Sequence, residues 1–309
     1  MRRRHHTALA TLAALAAASA AGCGLGPGHG TSQVSLTVTR GFGSAHVASV
    51  TATKVPGSAT VMRMLQRSLP VQTRYGGGFV ESIAGLSGNA SRRDWFYYVN
   101  GIQARLGAAA TTVHRGDRIW WDLHDWTATQ SIPAVVGSFP EPFLHGIGGK
   151  RLPTTLECGS NVNASCQRVS SELSADGVPV ASQLLGTGSG QSSLAVDVAP
   201  WHELRAAIVA ALIQHGPASS GVYAKFTPSG TELELLDPRG HVARTLGPGA
   251  GLIAATADAN STPTWLVTGT DRAGVAAAAA ALTAGRLRNH FAVAVQGNTL
   301  YPLPLNSLP

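Results

Sequence analysis

Residues 95–101 constrain the fold of this chain more than any other segment, because they read Trp-Phe-Tyr-Tyr-Val-Asn-Gly. Aromatic and β-branched residues favour strands, and an Asn-Gly pair directly after them predicts a hairpin turn. In a strand, alternate side chains face opposite ways, so Trp95 and Tyr97 share one face while Phe96 and Tyr98 share the other. One pair is expected to fill a core against a helix. The other pair either lies on an open sheet face or is covered by the rest of the chain.

The segments around this block predict a small sheet with one helix. Residues 34–38 alternate apolar and polar side chains, which is typical of a strand, and residues 46–53 are interpreted as its returning partner. Ser58 follows a Pro-Gly turn and is placed to cap a helix whose apolar positions recur at helical spacing up to Leu69. A hairpin, a helix and further strands indicate an α+β fold, with a β-grasp-like sheet over residues 34–129.

The remainder of the chain predicts a second domain of a different kind. Residues 130–151 concentrate proline and glycine and are interpreted as a linker. Residues 152–309 alternate strand and helix patterns, with predicted helices at 164–174 and 200–214 and an Ala-rich helix that ends at Leu287. This alternation predicts an α/β domain with a mixed sheet and at least one right-handed crossover.

Four blocks of the first unit follow one another in an order that resembles the transcobalamin-like C-terminal domain family. The blocks are residues 79–83, 95–101, 107–108 and 116–121. The resemblance covers residues 34–129. In the animal cobalamin carriers this domain covers one face of the corrinoid, and bacterial relatives are mostly exported or surface-attached. The resemblance therefore implies an envelope protein, with cobalamin or a related corrinoid as a candidate ligand.

The first 22 residues are typical of an export leader. Residues 2–4 are three arginines, and residues 7–21 form an uncharged run rich in alanine and leucine. This run is too short for a membrane-spanning helix, which needs about 20 apolar residues. It ends in Ala-Ala-Gly-Cys, which resembles a bacterial lipobox except that Ala20 stands where leucine is preferred. The alternative is an ordinary cleaved signal peptide followed by an incidental cysteine.

These features predict the location of the protein. We interpret residues 1–22 as a lipoprotein signal peptide, Cys23 as the lipidated residue and residues 23–33 as a flexible tether. The mature protein is then exported and anchored by lipid on the outer face of the cell membrane.

The cysteine count supports this interpretation. The chain has three cysteines, and an odd number in an exported protein leaves one thiol to explain. If Cys23 carries lipid, Cys158 and Cys166 are free to form a disulfide, which stabilises the fold by roughly 2 to 3 kcal/mol on the chain-entropy model. A Cys/His metal site is the alternative, but this spacing with no nearby histidine matches no common zinc motif.

The charge of the chain bears on its partners. The formal net charge is +7, and only 13% of residues are charged. The arginines are scattered and form no basic stripe interleaved with aromatic residues, which argues against a nucleic-acid partner. Weak attraction to anionic lipid or to a cell-wall polymer stays open.

The candidate ligand-binding residues come from the aromatic segments. A rigid aromatic surface gives apolar burial at little entropic cost. The candidates are Trp95, Tyr97, Tyr98, Trp120 and Trp126.

A metal site is not predicted. Asp122 and His124 would share a strand face, but the spacing of nearby His114, Asp117 and Asp125 places no third ligand beside them. Catalytic residues are not predicted either, because no nucleophile elbow precedes a suitable helix and no His-Glu-x-x-His motif occurs.

The sequence favours a non-catalytic protein that recognises a small molecule and serves uptake by a membrane transporter, with no resident cofactor. A structural or protein-interaction module of the envelope is one alternative, and a hydrolase in the second domain is another. A concave aromatic pocket would favour recognition, and a flat apolar face would favour interaction. A buried Ser/His/Asp cluster or paired carboxylates within residues 152–309 would favour the hydrolase.

Overall fold

The computed structural model describes residues 33–89, 91–190, 192–258 and 261–305. The predicted leader, Cys23 and nearly all of the predicted tether lie outside the described residues. The described residues form a mixed α+β fold, which confirms the predicted fold class.

The first unit is a β-grasp sheet with one helix. In chain order its elements are β1 (Val34–Arg40), β2 (Ala45–Ala52), α1 (Val61–Ser68), β3 (Val71–Arg74), β4 (Phe79–Ile83), β5 (Leu86–Ser87), β6 (Arg93–Val99), β7 (Ile102–Gln103) and β8 (Arg118–Asp125). The main sheet has the order β2-β1-β8-β6-β7, and β3, β4 and β5 form a small second sheet. The central pair β1 and β8 is parallel, whereas the other pairs of the main sheet are antiparallel.

Helix α1 begins two residues later than the Ser58 cap predicts. The cap is Thr60, whose side chain accepts a hydrogen bond from the backbone N–H of Arg63. An N-cap needs an extended backbone and a short side-chain hydroxyl that accepts a free N–H of the first turn. Thr60 fulfils this role in place of Ser58. The helix ends before Pro70, as predicted, and buries Met64 and Leu65 against the sheet.

Both faces of the sheet are covered at its aromatic strands, β6 and β8. Trp95, Tyr97 and Trp121 pack with α1 in one core. Tyr98 and Trp120 belong to a different core, which they share with residues from the second half of the chain. Of the two alternatives for the aromatic strand, the structure shows the covered one.

The second half of the chain builds a seven-stranded mixed sheet and a three-stranded meander. Its elements are β9 (Thr154–Cys158), α2 (Asn163–Ala175), β10 (Val180–Leu184), β11 (Leu194–Pro200), α3 (Trp201–Leu204), α4 (Ile208–Gln214), α5 (Pro217–Ser220), β12 (Ala224–Phe226), β13 (Leu233–Leu236), β14 (Val242–Leu246), β15 (Ala250–Thr256), β16 (Thr264–Gly269), α6 (Arg272–Ala281), α7 (Ala284–Leu287), β17 (Ala292–Gln296) and β18 (Thr299–Leu303). The large sheet has the order β10-β9-β11-β16-β15-β17-β18, and its first four strands run parallel.

Two predicted helices are each divided in the structure. Residues 200–214 form α3 and α4, because Ala207 between them takes an extended conformation. The Ala-rich segment forms α6 and α7, because Leu282 leaves the helical conformation and Thr283 caps a new helix through its hydroxyl. Strands β14 and β18 were not predicted from the sequence.

Residues 130–151, predicted as a linker, are packed between the two halves. Val135 donates its backbone N–H to the carbonyl of Gly101 in the first unit, and Val136 donates to the carbonyl of Phe291 in the second half. Phe139 and Phe143 are buried in the core of the second half. Apolar side chains at these positions explain why the segment is internal, and the division into domains at 130 and 151 stays a prediction.

Backbone segments of the two halves approach each other closely at this junction. A Cβ atom at Gly43 would lie 1.8 Å from the carbonyl oxygen of Asn289, and one at Gly137 would lie 2.7 Å from backbone atoms of His290. Only glycine leaves room for this contact. In the part of the chain that the structure describes, no helix is both long and apolar enough to cross a membrane.

Candidate functional site

A cleft of about 580 Å³ opens where the β-grasp sheet meets the second half of the chain. Its floor is the part of the sheet face, along β1 and β2, that is left uncovered. Ser35 pairs with Thr51 and Thr37 pairs with Ser49 across the two strands, and all four line the cleft. Directly paired residues share a sheet face, so the floor presents a patch of hydroxyl groups.

The walls of the cleft are basic. Four basic side chains line it, and none of its described lining residues is acidic. The basic residues are His46, Arg118, His145 and Arg288. Trp120 and Phe139 add apolar surface at the back. The guanidinium groups of Arg118 and Arg288 therefore offer positive charge, and the other polar side chains offer hydrogen-bonding groups, to a molecule that enters the cleft.

Glu141 holds two of these basic side chains in place. Its side chain is fully buried, and its Oε1 lies 2.5 Å from Nδ1 of His145 and 4.0 Å from Nε of Arg118. Nη1 of Arg118 also donates to the carbonyls of Ser138 and Phe139 at 3.2 and 2.9 Å. Both side chains are consequently oriented before any ligand binds, which lowers the entropic cost of binding.

The Asn-Gly and Gly-Asp motifs next to the cleft form one buried network. Nδ2 of Asn100 donates to Oδ1 of Asp117 and to the carbonyl of Gly146, each at 2.9 Å. Its Oδ1 accepts the backbone N–H of Arg118 at 2.9 Å. Burial raises the pKa of Asp117, although hydrogen bonds from His114 and Asn100 oppose this shift. These motif residues fix the start of β8 and thereby position Arg118.

The predicted ligand-binding aromatics lie mainly in the interior. Trp95, Tyr97, Tyr98 and Trp120 are at most 9% exposed, and Trp126 is partly buried. Trp120 alone among them also lines the cleft. The structure places the four buried residues in two cores, so any ligand contact by Trp95, Tyr97 or Tyr98 would require a core to open.

Asp122 and His124 form a buried pair on the covered face. Asp122 accepts hydrogen bonds from Nδ1 of His124 at 3.0 Å, from the Thr39 hydroxyl at 2.5 Å and from the backbone of Phe42 and Gly43 at 2.9 Å. The imidazole is stacked between the rings of Phe42 and Phe96. Within the described ranges, no three His, Cys, Asp or Glu side chains are placed to hold a metal ion.

Two tyrosine hydroxyls are buried in the same core without a hydrogen-bond partner among the described residues. They belong to Tyr98 and Tyr223. Burial raises the pKa of both phenols, and nearby carboxylates raise them further. Neither hydroxyl therefore ionises in the physiological pH range.

The second half contains a buried carboxylate pair that the sequence patterns did not single out. Asp197 on β11 lies directly opposite Glu157 on β9, and both side chains are about 6% exposed. Desolvation, and then the charge of Glu157, raises the pKa of Asp197 to about 7. Glu157 accepts hydrogen bonds from Gln183 and from the backbone of Gly186, so the loop after β10 lies close to the pair.

The predicted disulfide is confirmed. Cys158 and Cys166 are joined, with Cα atoms 6.1 Å apart. The bond links the end of β9 to the first turn of α2 across the connection between them.

Comparison with known families gives one match. Residues 58–125 match the model of a domain of unknown function, DUF4430. The match lies inside residues 34–129 and contains all four sequence blocks, but it covers less than half of the chain. The transcobalamin-like assignment is not confirmed by it, and no curated protein matches the chain.

Two solved structures share a limited likeness with the chain. One is a protein from Ruminococcus gnavus ATCC 29149 described as a candidate metal binding protein, with 17% identity and a TM-score of 0.24 over 30% of this chain and 97% of that chain. The other is haptocorrin in complex with Cbi, with 15% identity and a TM-score of 0.26 over 30% of this chain. The present chain spans about a quarter of the haptocorrin chain, at 25% coverage.

Sequence reasoning missed most of the cleft residues. His46, His145 and Arg288 come from distant segments and share no spacing that a pattern could reveal. Arg118 had a signal, because it follows the Gly-Asp pair of the fourth block.

Proposed function

We propose that this chain is an exported, lipid-anchored envelope protein that binds a small anionic, hydroxyl-bearing molecule in the cleft. It serves as a non-catalytic accessory to uptake by a membrane transporter. The leader and Cys23 support the location, and the disulfide supports an oxidising compartment.

The lining of the cleft carries the proposal. Guanidinium groups bind phosphate and carboxylate groups through charge-assisted hydrogen bonds, and the four hydroxyls of the floor are suited to the polar groups of the same molecule. Arg118 is held rigidly, whereas Arg288 is exposed and free to approach the ligand. An anion with attached hydroxyl groups fits this lining better than a flat apolar ligand does.

The test uses inorganic phosphate as the probe and backbone amide NMR shifts as the measurement. We expect shifts concentrated at cleft residues and an about tenfold weaker affinity for Arg288→Gln, since a hydrogen bond to a charged group contributes about 1.5 to 3 kcal/mol. Arg286→Gln is the matched control, because Arg286 is an exposed arginine of α7 outside the cleft lining. Equal affinities for the two variants, or shifts elsewhere, would contradict the proposal.

Cobalamin tests the corrinoid version separately. The protein is incubated with cyanocobalamin and dialysed, and its visible spectrum is recorded. Retained ligand absorption supports a corrinoid in the cleft. Complete loss of the ligand eliminates the corrinoid version, while the phosphate result still decides whether the cleft binds anions.

Mass spectrometry of natively isolated protein tests the anchor. We expect the mature chain to begin at Cys23 with a covalently attached lipid. A chain that retains residues 1–22, or that begins beyond Cys23, would overturn this part of the proposal.

The carboxylate pair favours a second candidate, a hydrolase in the second half of the chain. A carboxyl group with a pKa of about 7 beside a second buried carboxyl group is a combination that general acid-base catalysis uses. If this candidate is correct, Asp197→Asn abolishes a hydrolytic activity of the parent protein. The control Glu232→Gln, which alters an exposed carboxylate, retains this activity. Hydrolysis that survives Asp197→Asn would remove the pair from consideration as its catalyst.

A further inference from the structure

We propose that the exposed tip of the β3–β4 hairpin, together with the neighbouring loop, contacts the anionic lipid surface of the membrane. The tip consists of Tyr75, Phe79 and Leu106, and we call it the apolar tip. The proposal is independent of the ligand in the cleft.

The three side chains of the apolar tip are exposed, and the segments that carry them adjoin each other. Tyr75 is 85% exposed, Leu106 is 63% exposed and Phe79 is 41% exposed. The rings of Tyr75 and Phe79 meet edge to face with centroids 6.3 Å apart. A Cβ atom at Gly107 would lie 3.9 Å from the carbonyl oxygen of Gly78, so the loop that carries Leu106 reaches the hairpin.

The apolar tip lies at the end of the unit where the chain enters the sheet. Met62, in the first turn of α1, donates its backbone N–H to Ala108, two residues after Leu106. Leu106 and Ala108 lie in the connection between β7 and β8. This connection ends at Asp117, whose carbonyl accepts the N–H of Ser35 at the start of β1. Cys23 precedes Val34 by eleven residues, which span at most about 35 to 40 Å. A lipid at Cys23 therefore keeps this end near the membrane.

The segments that carry the apolar tip are rich in basic residues. Residues 53–89 and 102–116 contain six lysine and arginine residues and one histidine against a single acidic residue, Glu81, which forms an ion pair with Arg74. Arg74 and Arg105 directly precede Tyr75 and Leu106 in the sequence. Basic residues near an anionic leaflet each favour binding, and aromatic and leucine side chains bury readily at the membrane interface.

The size of the apolar tip favours lipid over a protein partner. A stable protein interface buries roughly 1,200 to 2,000 Å² with a well-packed centre. Three clustered side chains on a glycine-rich hairpin offer much less than this area. Insertion into the headgroup region needs only a small apolar protrusion with cationic neighbours.

The experiment measures binding of the full chain carrying Cys23→Ser, which cannot be lipidated, to vesicles. The vesicles contain phosphatidylcholine alone or equal parts of phosphatidylcholine and phosphatidylglycerol. We expect sedimentation with the anionic vesicles only. Replacing the apolar tip by Tyr75→Ser, Phe79→Ser and Leu106→Ser should weaken this binding at least about tenfold.

The matched control replaces three exposed apolar residues of the second half by Leu184→Ser, Ile208→Ser and Val242→Ser. We expect this variant to bind as the parent does, and thermal unfolding confirms that both variants are folded. Absence of binding to anionic vesicles, equal loss in both variants, or full binding by the tip variant would overturn the proposal. None of these results would touch the lipid anchor at Cys23, which mass spectrometry tests.

Discussion

The protonation of Asp197 is coupled to folding. Its pKa is about 7 in the folded chain, against an ordinary value of 3.8. The folded state therefore binds this proton more tightly than the unfolded state does. The resulting stabilisation is complete below pH 4 and is lost as the pH rises through 7.

Asp197→Asn should remove this pH dependence. The amide is neutral at every pH, so the variant should gain stability relative to the parent as the pH rises. Between pH 4 and pH 8 the difference in the free energy of unfolding should shift in favour of the variant by an amount on the order of 4 kcal/mol. Urea unfolding of both proteins across pH 4 to 8 measures the difference. Glu232→Gln, which alters an exposed carboxylate, should follow the parent, and parallel curves for Asp197→Asn would contradict the assignment.

Tyr98→Phe tests the buried hydroxyl that has no partner among the described residues. Removal of an unpartnered buried polar group costs nothing and relieves its desolvation, so the free energy of unfolding should stay unchanged or rise by up to about 1 kcal/mol. Chemical denaturation provides the measurement. A loss above about 1 kcal/mol would mean that the hydroxyl is hydrogen-bonded.

At the scale of elements, local sequence patterns located the first strands and both faces of β6. Alternation and turn residues are local, which is why β1, β2 and β6 were predicted close to their observed bounds. The breaks at Ala207 and Leu282 were missed, because neither residue is a helix breaker such as proline or glycine.

The Asn100 network joins three elements, and its disruption should be costly. Asn100 is fully buried, has φ of +54° and makes three hydrogen bonds. Asn100→Ala should lower the free energy of unfolding by about 2 to 4 kcal/mol, because it leaves buried groups unpaired and strains the backbone.

Asn100→Gly separates the two causes, since glycine accepts a positive φ without strain. Asn100→Gly should therefore regain the part of the free energy of unfolding that backbone strain removes, but not the part that the lost hydrogen bonds remove. Urea unfolding compares the two variants, and a parent-like Asn100→Ala would show that the network does not stabilise the turn.

At the scale of the whole molecule, Phe291 connects the two halves. Its ring lies 5.1 to 5.5 Å from the rings of Phe42, Tyr98, Trp120 and His124, measured between centroids. Phe291→Ala should cost about 3 to 5 kcal/mol, as expected for a large buried side chain, whereas Phe291→Leu should cost much less. Thermal unfolding of both variants gives the comparison, and a small effect of alanine would contradict a shared core.

The arrangement of the two halves was beyond sequence reasoning. The cover over Tyr98 and Trp120 includes Phe291, more than a hundred positions away, and no local pattern encodes that pairing. The cleft has the same origin, because His46, Arg118 and Arg288 become neighbours only when the two halves pack together.

The continuous aromatic core across the junction also limits how far the two halves can move when the proposed ligand binds. A hinge motion between the halves would separate their shared core and expose Phe291 and its neighbours to water. Closure of the cleft around a ligand by such a motion is therefore disfavoured. If the cleft binds the proposed anion, it should act as a rigid site that stays open to solvent with and without the ligand. Binding should then follow a single exponential whose observed rate constant rises linearly with ligand concentration, with no slower rearrangement after the encounter.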